Sequence, residues 1–228
     1  QKFSSVKKIH LVCYENESET MSVLKDNLCH VAEMSKIPIT YKIIAENYIT
    51  SQESDFNKNL YATDNPLKYD MVIGNPPYKK ISKDAPEANA MPSVCYGAPN
   101  LYFLFASMSL FNLCYGGEMV YIIPRSWTSG AYFKAFRTYF LSEGKLLNLH
   151  LFVSRNKVFD KESVLQETII VKIRKQKEPV YNIELTSSMS CNDFNKITRV
   201  IAPYDVIVSN KERYVFLVTS KNEIEMLA

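Results

Sequence analysis

At 228 residues and 26.2 kDa, 46% hydrophobic and 22% charged, the chain has the composition of a globular protein with one sizeable core and room for a small appendage. The net charge of +3 is too small to announce a polyanion partner, although residues 79–228 carry 19 Lys/Arg against 14 Asp/Glu while residues 1–78 carry 8 against 10. Five scattered cysteines without a CxxC pair, three isolated histidines, no signal-peptide core after QKFSSVKK and no apolar run near the ~20 residues of a membrane span argue against structural zinc, secretion and membrane insertion, and for free thiols in a reducing compartment.

In chain order, KIHLVCYE (8–15) reads as a buried strand ending on an acid. SETMSVLKDNLCHVAEMSK (18–36) follows with Met21, Leu24, Leu28, Val31 and Met34 three or four residues apart, a helix with Ser18 as its N-cap and Pro38 beyond its end. ITYKIIAEN (39–47) is a second strand, and a polar stretch (50–68) leads to the strand YDMVIG (69–74). After a loop holding Pro86, Pro92 and Pro99 comes an apolar helix, NLYFLFASMSLFNLC (100–114), stopped at YGG. EMVYIIP (118–124) is a strand and AYFKAFRTYFLSEG (131–144) an amphipathic helix ended by Gly144. KLLNLHLFV (145–153) and SVLQETIIVKIRK (163–175) are strands, and the tail from about 186 holds two further strand-like pieces, YDVIVS and RYVFLVTS.

Strands alternating with helices predict a three-layer α/β domain with a mostly parallel sheet over residues 1–185, the remainder (186–228) being a connector. Ligands of such sheets bind beyond the carboxyl ends of the strands, where Glu15, Glu46 and Asn75 fall, so a shared site is expected there. None of the six glycines stands in a GxGxxG or Walker loop, so the fold is expected to be incomplete at its amino end, the chain starting at about the second strand.

The stretch GNPPY (74–78) ends its strand, because two consecutive prolines cannot donate to a ladder. It also projects convergent acceptors, the Asn75 carboxamide oxygen and the Pro76 carbonyl, held by the fixed φ angles of Pro76 and Pro77. Two acceptors match the two N–H donors of a planar amino group. Bonding both would localise the nitrogen lone pair and stabilise the positive charge that grows on it during attack. Tyr78 offers a flat face for stacking, worth about 1–3 kcal/mol. Asn-Pro pairs also serve simply as turn initiators, and aromatics after turns as core anchors.

DMVIGNPPY resembles the catalytic motif of class I S-adenosylmethionine-dependent amino-methyltransferases. NLYFLFASMSLFNLCYGGEMVYIIPRSW (100–127) and LFVSRNKVFDKESVLQETIIVKIRK (151–175) resemble later blocks of TaqI-like N6-adenine DNA methyltransferases, so the resemblance covers roughly residues 8–175. It implies a Rossmann-like methyltransferase sheet and S-adenosyl-L-methionine as cofactor. Asn75, Pro76, Pro77 and Tyr78 match the target-amine and stacking positions, and Phe159 the aromatic on the other face of a flipped adenine. Glu15 matches the acid on the donor's ribose hydroxyls, Glu46 the position contacting the donor's adenine amine, and Phe105 an aromatic near the donor.

The expected protein is therefore the catalytic region of an adenine-specific DNA methyltransferase of a restriction–modification system in a bacterial or archaeal cytoplasm. Its expected partners are double-stranded DNA and an attached or separate target-recognition domain and restriction endonuclease, and the 228 residues alone are expected to be inactive. Two alternatives keep much of the pattern: a methyltransferase acting on protein glutamine or an RNA base amine, and a non-catalytic DNA-specificity scaffold.

Overall fold

The computed structural model describes residues 5–64, 66, 68–153, 167–190 and 192–228. The chain divides into two units, residues 1–53 and 54–228. Among the described residues no helix is long and apolar enough to cross a membrane, and Cys13, Cys29, Cys95 and Cys114 are free thiols.

The first unit is a βαβ element. Strands β1 (Ile9–Tyr14) and β2 (Ile39–Ile44) pair in parallel, from Ile9↔Ile39 to Tyr14↔Ile44. A parallel pair needs a crossover of a dozen or more residues, which the 17-residue helix α1 (Ser18–Met34) supplies. Leu28 is its buried anchor, Met21 and Leu24 are half-buried, and Val31 and Met34 at the far end of the stripe are exposed. Ser18 is the first helical residue rather than the cap. Glu17 takes the cap position without a side-chain cap bond, its own N–H donating to Glu15 Oε1 at 2.8 Å.

Helix α2 (Glu53–Asn57), inside the stretch expected to be irregular, leads into the second unit. There a six-stranded sheet has the order β3-β4-β6-β5-β7-β8, with β3 Tyr69–Gly74, β4 Leu113–Pro124, β5 Gly144–Phe152, β6 Thr168–Lys175, β7 Asn182–Ser188 and β8 Thr198–Pro203. β3, β4, β5 and β7 run in one direction; β6 and β8 are reversed. Helices α3 (Pro86–Ala90), α4 (Leu101–Asn112), α5 (Lys134–Glu143), α6 (Tyr204–Ile207) and α7 (Lys221–Leu227) complete the unit.

α4 is apolar nearly all round because it is buried nearly all round: Tyr102, Phe103, Leu104, Ala106, Met108 and Leu110 are each at most 2% exposed. It packs beside α5, where Phe136 and Phe140 meet Trp127 edge-on at 5.7 and 5.6 Å. Each such buried ring contributes about 1.5–3 kcal/mol by leaving water. The carboxyl end of α4 is closed by two lysines: Lys68 and Lys175 both donate to the Phe111 carbonyl, at 2.8 and 2.7 Å. Burial, with the Lys175 charge beside it, pulls the Lys68 ammonium down to about 8.

Two features depart from the sequence pattern. The helix ends at Asn112 and β4 begins at Leu113, so CYGG belongs to the strand, with Gly116 at φ +83 taking a left-handed conformation that disfavours a side chain. In the tail, YDVIVS forms the single-turn helix α6 after Pro203 instead of a strand, and RYVFLVTS contributes one bridge, Val208↔Val215. β7 crosses the expected 185/186 junction, pairing with β5, and β8 adds to the same sheet.

Candidate active site

β3 lies beside β4 with Gly74 opposite Tyr121. A Cβ at Gly74 would stand 2.9 Å from Tyr121 Cε1. That ring has nowhere to go: Tyr121 is 5% exposed and its hydroxyl lies 2.6 Å from Ser109 Oγ of α4. Burial pushes the Tyr121 hydroxyl up to about 12. The glycine is therefore a packing requirement at the head of the turn, letting the strand end approach the Tyr121 ring closely.

Beyond Gly74 the chain leaves the sheet, with Asn75 and Pro77 exposed, Pro76 buried and Tyr78 half-buried. Tyr78 folds back so that its hydroxyl lies 2.9 Å from Asn75 Oδ1 and 3.0 Å from the Ile122 carbonyl of β4. One hydroxyl proton thus faces two acceptors, and shared between them it links the exposed carboxamide to the strand behind it. Burial raises the Tyr78 hydroxyl far above its ordinary value, so it remains protonated, a donor and not a base. The ring is met edge-on by Tyr102 of α4, centroids 6.3 Å apart at 86°. Tyr102 in turn lies 3.4 Å from Ser126 Oγ in the short turn Arg125–Thr128 after β4. An open groove of about 330 Å³ starts at Arg125 and Ser126 and runs to Val215–Leu217.

The assembled turn contains acceptors, an aromatic ring and a locked phenol, and no group that titrates near neutrality. It can accept hydrogen bonds from an amine and orient it; it does not offer a proton-abstracting side chain. Phe105, one turn along α4 from Tyr102, is half-buried between the buried Leu104 and Ala106.

In the first unit, Glu15 and Glu46 follow the same ends of the parallel pair β1 and β2. The Glu15 N–H donates to the Ile44 carbonyl at 3.1 Å, which carries the pairing one residue past the strand. Its carboxylate is half-buried and accepts from the Glu17 N–H at 2.8 Å, while Glu46 is exposed. Asn47 caps the following turn, its Oδ1 accepting from the N–H groups of Ile49 and Thr50 at 2.9 and 3.1 Å. Phe159 lies outside the described residues.

Sequence reasoning missed the supports of the turn. Tyr121, Ser109, Tyr102 and the Ile122 carbonyl all act on it from distant positions. The one local signal was Gly74 itself, a glycine at a strand end with no positive φ to explain it.

The first unit's βαβ element and the second unit's sheet together define an α/β, Rossmann-like methyltransferase fold. A structure described as a putative class I S-adenosylmethionine-dependent methyltransferase from Listeria monocytogenes matches with a TM-score of 0.55, covering 82% of this chain and 61% of that one at 13% identity. The family is narrower than the fold. The model for the Eco57I restriction-modification methylase family matches residues 2–159, and the chain belongs to that family. It is 33% identical to the type II methyltransferase M.PstI of Providencia stuartii over 98% of this chain and 44% of that protein. It is 31% identical to M.BsuBI of Bacillus subtilis over 90% of this chain and 40% of that protein. The chain thus spans less than half the length of these curated relatives.

Proposed function

We propose that this chain carries the target-amine half, and part of the donor half, of an adenine-N6 DNA methyltransferase of a restriction–modification system. The observation that supports it most is the Asn75–Tyr78 turn: an exposed carboxamide whose oxygen is fixed 2.9 Å from a hydroxyl that also reaches the Ile122 carbonyl at 3.0 Å.

In this reading an adenine extruded from duplex DNA enters edge-first. Its amine donates one N–H to Asn75 Oδ1, which has a lone pair left beside the Tyr78 hydroxyl, and the other to the Pro76 carbonyl. Should both Asn75 lone pairs be needed, the Tyr78 proton turns to Ile122. The exposed part of the Tyr78 ring and Phe159 flank the base.

S-adenosyl-L-methionine, when bound, supplies an electrophilic methyl group on a sulfonium sulfur. The residues of the first unit fit its polar end: the Glu15 carboxylate, steadied by the Glu17 N–H, suits a pair of ribose hydroxyls, and Glu46 suits an amine. Transfer of that methyl to the amine nitrogen would break the carbon–sulfur bond and leave its electron pair on a neutral thioether. The nitrogen's extra proton goes to water, since the turn holds no base. Asn75 and Pro76 stabilise the positive charge on nitrogen at that moment, which makes positioning and electrostatics the source of rate.

Activity, DNA partner and target specificity are proposed for the full-length native polypeptide, within a bacterial or archaeal cytoplasm. Incubating that polypeptide with DNA and donor carrying a labelled methyl group tests the reading. The label is expected in DNA, and Asn75→Ala is expected to slow single-turnover transfer about 10²–10³-fold, the usual cost of losing one transition-state hydrogen-bond partner. A rate within threefold of the unsubstituted protein would overturn it.

A further inference from the structure

The loop that follows the target-amine turn is stapled to the loop that precedes α4. Leu101 N–H donates to the Lys79 carbonyl and Ile81 N–H to the Pro99 carbonyl, both at 2.8 Å, around the bridge Lys80↔Asn100. On this staple sit two exposed tyrosines. Tyr132 donates its hydroxyl proton to the Ala98 carbonyl at 2.9 Å, and its seat requires Gly97: a Cβ there would meet the Tyr132 hydroxyl at 2.5 Å, and φ is +72. Tyr96 stands edge-on to Tyr132, centroids 6.0 Å apart, and Lys80 Nζ lies 6.0 Å from the centre of the Tyr132 ring. Tyr96 is 69% exposed and Tyr132 37%.

Two neighbouring tyrosines left in water, their rings edge to face, form an exposed aromatic patch with a lysine beside it. It adjoins the candidate site along the chain, because Lys79 and Lys80 directly follow Tyr78. Beneath it, buried Phe133 and Tyr102 link the Tyr132 ring to Tyr78 through centroid distances of 6.2, 6.1 and 6.3 Å. Lysines 79 and 80, both exposed, add positive charge at its rim.

We propose that Tyr96, Tyr132, Lys79 and Lys80 form a DNA-docking shelf that holds the strand beside the extruded adenine, the rings stacking on an unpaired or terminal base and the ammonium groups meeting phosphates. Every base presents a π-face and every nucleotide a phosphate, so this surface serves affinity and placement rather than sequence discrimination. The assignment rests on the adenine-in-DNA reading above.

The test uses the full-length native polypeptide and a short fluorescent duplex, with affinity read by anisotropy across a salt series. Tyr96→Ala combined with Tyr132→Ala is expected to weaken binding about tenfold. Lys79→Ala combined with Lys80→Ala is expected to flatten the slope of log affinity against log salt by about 2. Should loss of Tyr132 impair folding, Tyr96→Ala alone gives the reading, because its ring is mostly in solvent. Tyr181→Ala, 81% exposed and just before the amino end of β7, is expected to leave affinity unchanged.

Unaltered affinity and salt slope in the shelf variants would overturn the proposal. So would a drop in melting temperature with DNA affinity intact, which would mark the shelf as covered by another segment of the polypeptide. Methyl transfer is measured on the same samples. Shelf-dependent binding without adenine methylation removes the enzymatic reading and leaves the shelf; methylation with shelf-independent binding does the reverse. Failure of the unsubstituted protein to bind DNA removes both.

Discussion

The Asn75–Tyr78 turn and the carboxylates of Glu15 and Glu46 are both strand-end features, yet they are built by opposite means. The turn is anchored from behind: Gly74 packs closely on the Tyr121 ring, that ring is tied to Ser109 on α4, and Tyr78 is tied to Ile122. The two acids stand on a two-stranded sheet, one exposed and the other steadied by a single backbone N–H at 2.8 Å. Under the proposed function, the difference matches the part each would play. An acceptor that has to meet a nitrogen in its transition state loses rate when misplaced by about an ångström. A carboxylate that binds hydroxyls in the ground state tolerates more freedom, because it contributes affinity rather than geometry.

That contrast can be broken at either end. The larger effect is expected at the donor end, where Glu15→Ala removes a charged acceptor worth about 1.5–3 kcal/mol. Donor affinity measured by calorimetry on the full-length protein should fall about 10- to 150-fold, with the unfolding transition unmoved. Unchanged donor affinity would take Glu15 out of the site. A smaller effect, on stability, is expected at the turn: the Cβ of Gly74→Ala presses on a buried ring that cannot swing, costing about 1–2 kcal/mol in a urea titration. Transfer rate should drop with it while donor affinity holds. If Gly74→Ala left both stability and rate untouched, the turn would not be the rigid half of the comparison.

Much of this architecture was legible in the residues. The βαβ opening, the strand before GNPPY, the buried α4 and the strands flanking α5 are all present, and the apolar run of α4 matches its burial. The expected burial of the first strand is not met: β1 and β2 hold no fully buried residue, and Met71 and Ile73 of β3 are exposed. The failures have physical reasons. YDVIVS alternates like a strand, but Pro203 at φ −57 launches a helical turn, and Tyr204 N–H is taken by the Tyr181 carbonyl. YGG reads as a stop because glycines end helices, whereas here Gly116 is a left-handed residue near the start of β4, which begins at Leu113. At the site, the residue types of the turn were readable and its rigidity was not. The Tyr78–Ile122 bond spans 44 residues, and no local pattern marks a backbone carbonyl as a partner. Tyr78 was expected to offer only a stacking face; its hydroxyl adds the tether that holds Asn75 to the sheet.

The central claim is that the turn presents an adenine amine, in DNA, to a methyl donor. Mass spectrometry of nucleosides from DNA treated with the full-length protein and labelled donor tests it most directly. The account predicts N6-methyladenine as the labelled nucleoside. Label on cytosine, at either its amine or its ring carbon, or label recovered in protein or RNA and not in DNA, would contradict it.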